Sequence, residues 1–250
     1  MNNEHWEIPP QNYTGYLQAC RDACDQKSFN TFRQNAAYRA ILEHTNPVQA
    51  GQYYDWCITK EPSLLTEHFK EFQKNDLYGS PDLMNTSYGK ICPSTLRYIK
   101  NTLEIKRQFN YRSVIEIGGG YGGLCRALSV FGWSTYDIID LKDPLALAKT
   151  YLDKYELNVS YHEPTPTLSA DLLISNYALS ECDEYLQTEY FYNVIKNCKN
   201  CYITHNTTYK PFYQTFLKMC EPIFNIEIID EPISDTNSKI LFMKRKDNGN

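Results

Sequence analysis

With 250 residues, 42% of them hydrophobic and 22% charged, the chain has the make-up of one large globular domain, or of one domain with a sizeable extension. A net charge of -5 and a pI near 5.6 leave no basic footprint, which sets nucleic acid aside as a substrate. The sequence has no apolar run of the roughly 18 residues that a membrane span needs, and Met1–Glu7 carries no apolar signal core, so the expected protein neither crosses a membrane nor is exported, and keeps its thiols reduced in the cytoplasm.

Residues 1–110 read as a mostly helical N-terminal extension, or cap, rich in polar and aromatic residues. Phe69 and Phe72 belong to one amphipathic segment, while Leu96, Ile99 and Leu103 belong to another that starts after Pro93 with Ser94 as its cap. Between them, Tyr78–Pro93 reads as a loop punctuated by Gly79, Pro81 and Gly89. No flexible linker is evident near residue 110, so the cap is expected to pack on residues 111–250, which read as a cofactor-binding α/β domain.

That second region opens on VIEIGGGYGG, Val114–Gly123: a buried strand over Ser113–Ile117, then five glycines among six residues, then a helix faced by Leu124, Ala127 and Leu128. Glycine is costly to order, so its clustering suggests close approach of a ligand to backbone, and the following helix N-terminus favours polar or anionic groups. Gly118, Gly120 and Gly123 satisfy Gly-x-Gly-x-x-Gly, the dinucleotide fingerprint. Glu116 argues for S-adenosylmethionine (SAM) instead, because its carboxylate suits the cofactor's positive end and would oppose a pyrophosphate; the alternative is that it caps an amide in the turn.

Strand and helix then alternate. Ser134–Ile139 is a second strand ending at Asp140, and Asp143 and Pro144 read as the N-cap and first residue of a helix carrying Leu145, Ala148, Leu152 and Tyr155. Val159–His162 and Asp171–Ser175 are further strands, Tyr185–Asn197 a helix, Cys201–Thr204 a fifth strand, and Pro211 opens the next helix. Phe224–Ile229 and Lys239–Met243 are strand-like and separated only by a polar loop with Pro232, Asp235 and Asn237, too short for a helical crossover, so they should pair antiparallel. The expected fold is Rossmann-like α/β of the class I methyltransferase type, with a mostly parallel seven-stranded sheet, a terminal antiparallel hairpin and the helical cap. Nine cysteines are scattered; Cys198 and Cys201 form the one Cys-x-x-Cys and read as small buried hydrophobes, since no second pair stands at zinc spacing.

Several segments together resemble the sugar O-methyltransferase family: FRQNAAYRAILEH (Phe32–His44), YGKICPSTLRYIK (Tyr88–Lys100), VIEIGGGYGGLCRAL (Val114–Leu128), YDIIDL (Tyr136–Leu141) and DLLISNYALSE (Asp171–Glu181). The resemblance implies SAM as cofactor, S-adenosylhomocysteine (SAH) as product, and a sugar, nucleotide-sugar or oligosaccharide acceptor. It says little about which acceptor.

The residues and the resemblance point to one crevice at the carboxyl ends of the strands. The expected cofactor contacts are Glu116, Gly118, Gly119, Gly120, Tyr121, Asp140 (on both ribose hydroxyls), Leu141, His162 (near adenine), Ser175 and Asn176. Tyr88, Arg97 and Tyr177 are candidates for the acceptor. A sugar hydroxyl must lose its proton as it attacks, and Glu181, His205 and Asp183 are the candidate bases, with Asp183 alternatively a metal ligand; no Asp and His cluster favours a metal. An NAD-dependent oxidoreductase and a non-catalytic SAM-fold subunit are the competing readings, and a homo-oligomer stays open.

Overall fold

The computed structural model describes residues 10–207, 212–233 and 237–246. Helices α1 (Pro10–Asp22), α2 (Gln26–Phe29), α3 (Ala36–Ile41), α4 (Pro47–Lys60) and α5 (Pro62–Gln73) come first, followed by a small hairpin of β1 (Met84–Thr86) and β2 (Gly89–Ile91) and the long α6 (Pro93–Gln108). The hairpin lies inside the stretch expected to be loop; three paired residues per strand are too short to leave a periodic signal. Asn46 and Gln49 close a capping box at the start of α4, and Pro47 fits its first turn. At α6 the N-cap is Cys92, not Ser94, because Pro93 occupies the first helical position; Ser94 Oγ donates instead to the Leu42 carbonyl.

The second half alternates β3 (Ser113–Ile117), α7 (Gly123–Leu128), β4 (Thr135–Ile139), α8 (Lys142–Leu152), β5 (Val159–His162), β6 (Leu172–Asn176), α9 (Ala178–Glu181), α10 (Glu184–Asn193), β7 (Asn200–Asn206), α11 (Phe212–Cys220), β8 (Phe224–Asp230) and β9 (Ser238–Arg245). The sheet runs β5-β4-β3-β6-β7-β9-β8 among the described residues. Its first five strands are parallel, and β9 enters antiparallel between β7 and β8. The expected hairpin therefore forms, with β9 rather than β8 inserted beside β7. Helix α8 starts at Lys142 with Leu141 at its N-cap; Asp143 lies within the first turn and pairs with Arg21 of α1 at 2.7 Å. The expected helix start at Pro211 and the loop residue Asp235 lie outside the described residues.

Alternation along the strands divides the core. Val114, Ile138, Leu172 and Tyr202 lie in the layer with α6, α7 and α8, Tyr202 OH donating to Glu104 of α6, whereas Ile115, Ile117, Leu173 and Ile203 face α10 and α11. Cys198 and Cys201 are buried in the second layer. A third cluster joins α4, α5 and α6 through Tyr53, Leu65, Phe69, Phe72, Leu96 and Leu103.

The N-terminal helices are tied to the glycine loop by a buried ion network. The Arg33 side chain is wholly buried and bonds Glu43 at 2.7 Å and Asp76 at 2.9 Å, with its guanidinium 5.1 Å from the Tyr121 ring centre. Asn75 Nδ2 donates to the Gly123 carbonyl at 2.7 Å, and Tyr151 OH to the Asn75 carbonyl at 3.0 Å. An unpaired guanidinium would be very costly in such a place, so the two carboxylates are what make Arg33 tolerable there.

Candidate functional site

One cavity of about 260 Å³ opens at the carboxyl ends of β3, β4, β6 and β7. Gly118, Gly120, Asp140, Asn176, Tyr177, Ala178, Glu181 and Asn206 line it from the sheet side; Tyr13 and Tyr16 of α1, the Ile41–Thr45 segment, Gln49, Tyr53, Arg97, Tyr98 and Asn101 line it from the N-terminal helices.

The glycine loop is built by backbone conformation. Gly118 (φ +80°), Gly120 (φ +55°) and Gly122 (φ +88°) all take the left-handed region, and Gly118 N–H donates to the Ile139 carbonyl at 2.8 Å. A Cβ on Gly118 would stand 2.1 Å from the Ala178 Cβ, one on Gly119 2.6 Å from Ile138, and one on Gly120 2.7 Å from Leu42. The close approach expected of a ligand is thus made at these atoms by the protein's own side chains, while Gly118 and Gly120 still present backbone to the cavity.

Asp140 stands where the second strand ends. Its Oδ2 accepts from Gly120 N–H at 2.9 Å and its Oδ1 from Leu141 N–H at 2.7 Å, and it is only 7% exposed. Each oxygen keeps a further lone pair for a ligand hydroxyl. Burial raises its pKa to about 6, the two amide donors oppose that, and nearby Glu181 adds to it. Asp140 and Glu181 also border Tyr13, so one end of the cavity is acidic and aromatic.

Asn176 is oriented by its neighbours: its Oδ1 accepts from Asn101 Nδ2 and from Thr204 Oγ1, both at 3.1 Å. Beside it, Tyr177 has φ +69°, rare for a residue with a Cβ, in the tight turn from β6 to α9. Strain of this kind concentrates at ligand sites.

The cavity therefore brings together Gly118, Gly120, Asp140, Asn176, Tyr177, Glu181 and Arg97 of the expected residues. Other candidates lie elsewhere. Glu116 points with Val114 toward α7 and accepts from Tyr136 OH at 2.7 Å; burial lifts its pKa to about 8. Its carboxylate does not line the cavity, which removes the geometric basis for using it to choose between cofactors. Gly119 backs onto Ile138, and Tyr121 is buried among Phe32, Tyr38, Tyr98 and Tyr151. Leu141 packs into the core, His162 Nε2 lies 2.7 Å from Asp137 Oδ1, and Ser175 Oγ accepts from Leu179 N–H.

Tyr88 does not line the cavity; it lies against α5, sharing a hydrogen bond with Thr66 at 2.8 Å and packing on Phe69. Asp183 caps α10 by accepting from Leu186 N–H at 2.8 Å. His205 is fully buried, its ring 4.8 Å from that of Tyr213 and its Nδ1 3.0 Å from the Asn206 carbonyl oxygen. Among the described residues no cluster of three or more His, Cys, Asp and Glu is arranged to hold a metal ion, and no helix is long and apolar enough to cross a membrane.

Sequence reasoning missed Tyr13, Tyr16, Leu42, His44, Tyr53 and Asn101 as wall residues. The Phe32–His44 segment, which carries part of the family resemblance, supplies Ile41, Leu42 and His44, so that signal was present.

Solved structures share this architecture. The methyltransferase domain of bacterial CtHen1-C is 14% identical, with 60% of this chain and 97% of that one covered, at a TM-score of 0.50. The PH0226 protein from Pyrococcus horikoshii OT3 is 13% identical, with 65% and 93% covered, also at 0.50. An S-adenosylmethionine-dependent methyltransferase from Clostridium acetobutylicum ATCC 824 is 11% identical, with 60% and 91% covered, at 0.48. No protein-family model and no curated protein matches the chain. At these identities the likeness is one of fold, and the fold is that of the class I, SAM-dependent methyltransferases.

Proposed function

We propose that the protein is a SAM-dependent methyltransferase whose acceptor is a hydroxyl of a sugar or glycan. The observation that carries the cofactor half is the meeting of Gly118, Gly120 and Asp140 in one cavity at the carboxyl ends of β3 and β4. The donor set fits the group: a buried carboxylate with spare lone pairs for ribose hydroxyls, glycine backbone for the methionyl portion, and the Tyr13 and Tyr16 rings for apolar cover. When bound, SAM supplies a methyl group already activated on a sulfonium.

What remains for the chain is positioning and proton removal. Tyr177 holds the acceptor, and Asn176, its amide set by Asn101 and Thr204, meets the cofactor. With SAM bound, the Glu181 carboxylate would take the proton of the acceptor hydroxyl as that oxygen receives the methyl group. Glu181 is preferred to His205 and Asp183 because it alone of the three lines the cavity. The sugar acceptor rests on the segment resemblance. Transfer of labelled methyl from SAM to a panel of monosaccharides, nucleotide sugars and oligosaccharides, with a short RNA alongside, tests it: label in a sugar product supports the reading, and label only in the RNA refutes it.

A further inference from the structure

Arg97 projects from the second turn of α6 into the cavity wall, half-buried, with its guanidinium 5.6 Å from the Tyr98 ring centre. Arg33, wholly buried among the N-terminal helices, has two counter-charges, Glu43 and Asp76. Arg97 forms no salt bridge with a carboxylate among the described residues. The acids that share its cavity are engaged elsewhere, since Asp140 holds Gly120 and Leu141 and has Glu181 as its charged neighbour.

The residues that sense the Arg97 charge are Tyr98, Tyr53 and Tyr177, together with His44, and none comes from the glycine loop or the end of β4. Neighbouring atoms and then the Arg97 charge hold the pKa of His44 below the ordinary value although the residue is exposed, while the Ile41 carbonyl and Glu43 oppose this. His44, an exposed residue of the cavity wall, thus stands beside a fixed cation. One end of the cavity presents Asp140 and Glu181, and the other a guanidinium that pairs with no carboxylate among the described residues.

A guanidinium withdrawn from bulk water without a carboxylate is costly, and its planar fork matches a two-oxygen anion. From this juxtaposition we infer that the acceptor carries an anionic group, a carboxylate or a phosphate, that docks on Arg97 beside His44. The inference rests on the proposed methyl-transfer reading, and names the class of sugar: an acidic one, with the anion at the α6 end of the cavity and the reacting hydroxyl toward Glu181.

The test uses the full chain saturated with SAH, with glucuronate, glucose 6-phosphate and glucose as probes, and the His44 ring signals followed by NMR. The charged probes should bind about 10- to 100-fold more tightly than glucose, the span of one charge-assisted hydrogen bond, and should raise the His44 pKa. Preference for glucuronate assigns a carboxylate, and preference for glucose 6-phosphate a phosphate. Arg97→Met should erase the preference with SAH affinity unchanged, and Arg97→Lys should keep part of it. Equal binding of the three probes, no binding of either anion, or a preference that survives Arg97→Met overturns the inference. So does an equal loss of SAH affinity in Arg97→Met, which would give Arg97 to the cofactor's own carboxylate. If Arg97→Met fails to fold, the wild-type comparison of charged and neutral probes decides alone. Failure of the wild type to bind SAH at all would instead strike the methyltransferase reading, and this inference with it.

Discussion

Replacing Asp140 by Asn probes the cofactor site at its most constrained atom pair. In the protein each carboxylate oxygen already accepts one backbone amide, from Gly120 at 2.9 Å and from Leu141 at 2.7 Å, and the remaining lone pairs face the cavity. Asn offers one acceptor oxygen and turns an NH2 toward a backbone N–H or toward the ribose. One charge-assisted hydrogen bond is lost and the other becomes neutral, so SAH affinity should fall by roughly 2 to 4 kcal/mol, about 30- to 1,000-fold in Kd.

The deficit should depend on pH. The Asp140 pKa is raised by burial to about 6, so the wild-type carboxylate is ionised at pH 8 and largely protonated at pH 5. Wild-type affinity should therefore weaken about tenfold per unit below 6, while Asp140→Asn, which cannot titrate there, stays flat and the gap closes. Calorimetric titration of both proteins with SAH at pH 8 and pH 5 measures this, with unfolding curves to confirm that the variant is folded. A folded Asp140→Asn protein with Kd within threefold of wild type at pH 8, or a gap that does not narrow at pH 5, would refute the assignment.

Glu116→Gln should stabilise the protein in alkali. The folded-state pKa of Glu116 is raised to about 8 from an ordinary 4.5, so its favourable protonated form is fully present below about 4.5 and is lost as pH rises through 8, at a cost on the order of 4 to 5 kcal/mol. Gln keeps the acceptor for Tyr136 OH, so urea midpoints should match wild type near pH 5 and exceed it at pH 8.5; an equal difference at both would contradict the account. Gly118→Ala forces a Cβ to 2.1 Å from the Ala178 Cβ at φ +80°, and should cost roughly 1 to 3 kcal/mol and abolish SAH binding, read by thermal unfolding and calorimetry. Glu181→Gln should lower turnover on an identified acceptor by about 10² to 10⁴ with SAH affinity nearly unchanged. His205→Asn, in a fully buried site, should instead lower the melting temperature; full loss of turnover in a stable His205→Asn protein, with Glu181→Gln active, would reverse the two roles.

The parallel strands, the glycine turn and Asp140 were legible because they are local: apolar runs, left-handed turn residues and a carboxylate at a strand end leave marks within a few residues. Glu116 carries a signal that the motif alone does not separate from strand parity. It shares strand parity with Val114, so alternation puts it on the α7 side, where it meets Tyr136 rather than the cavity. Tyr13, Tyr16 and Tyr53 reach the cavity through packing between elements far apart in the chain, which no spacing records. The same holds for Tyr88 and Arg97, close in sequence on either side of Pro93: the β1–β2 hairpin sets Tyr88 against Thr66 and Phe69 of α5, while α6 places Arg97 in the cavity wall.

Calorimetry of the wild-type chain with SAH and with NAD, at pH 8 where Asp140 is ionised, tests the central claim most directly. The account predicts saturable binding of SAH, weakened about 30- to 1,000-fold in Asp140→Asn, and no binding of NAD. Binding of NAD without binding of SAH would contradict it.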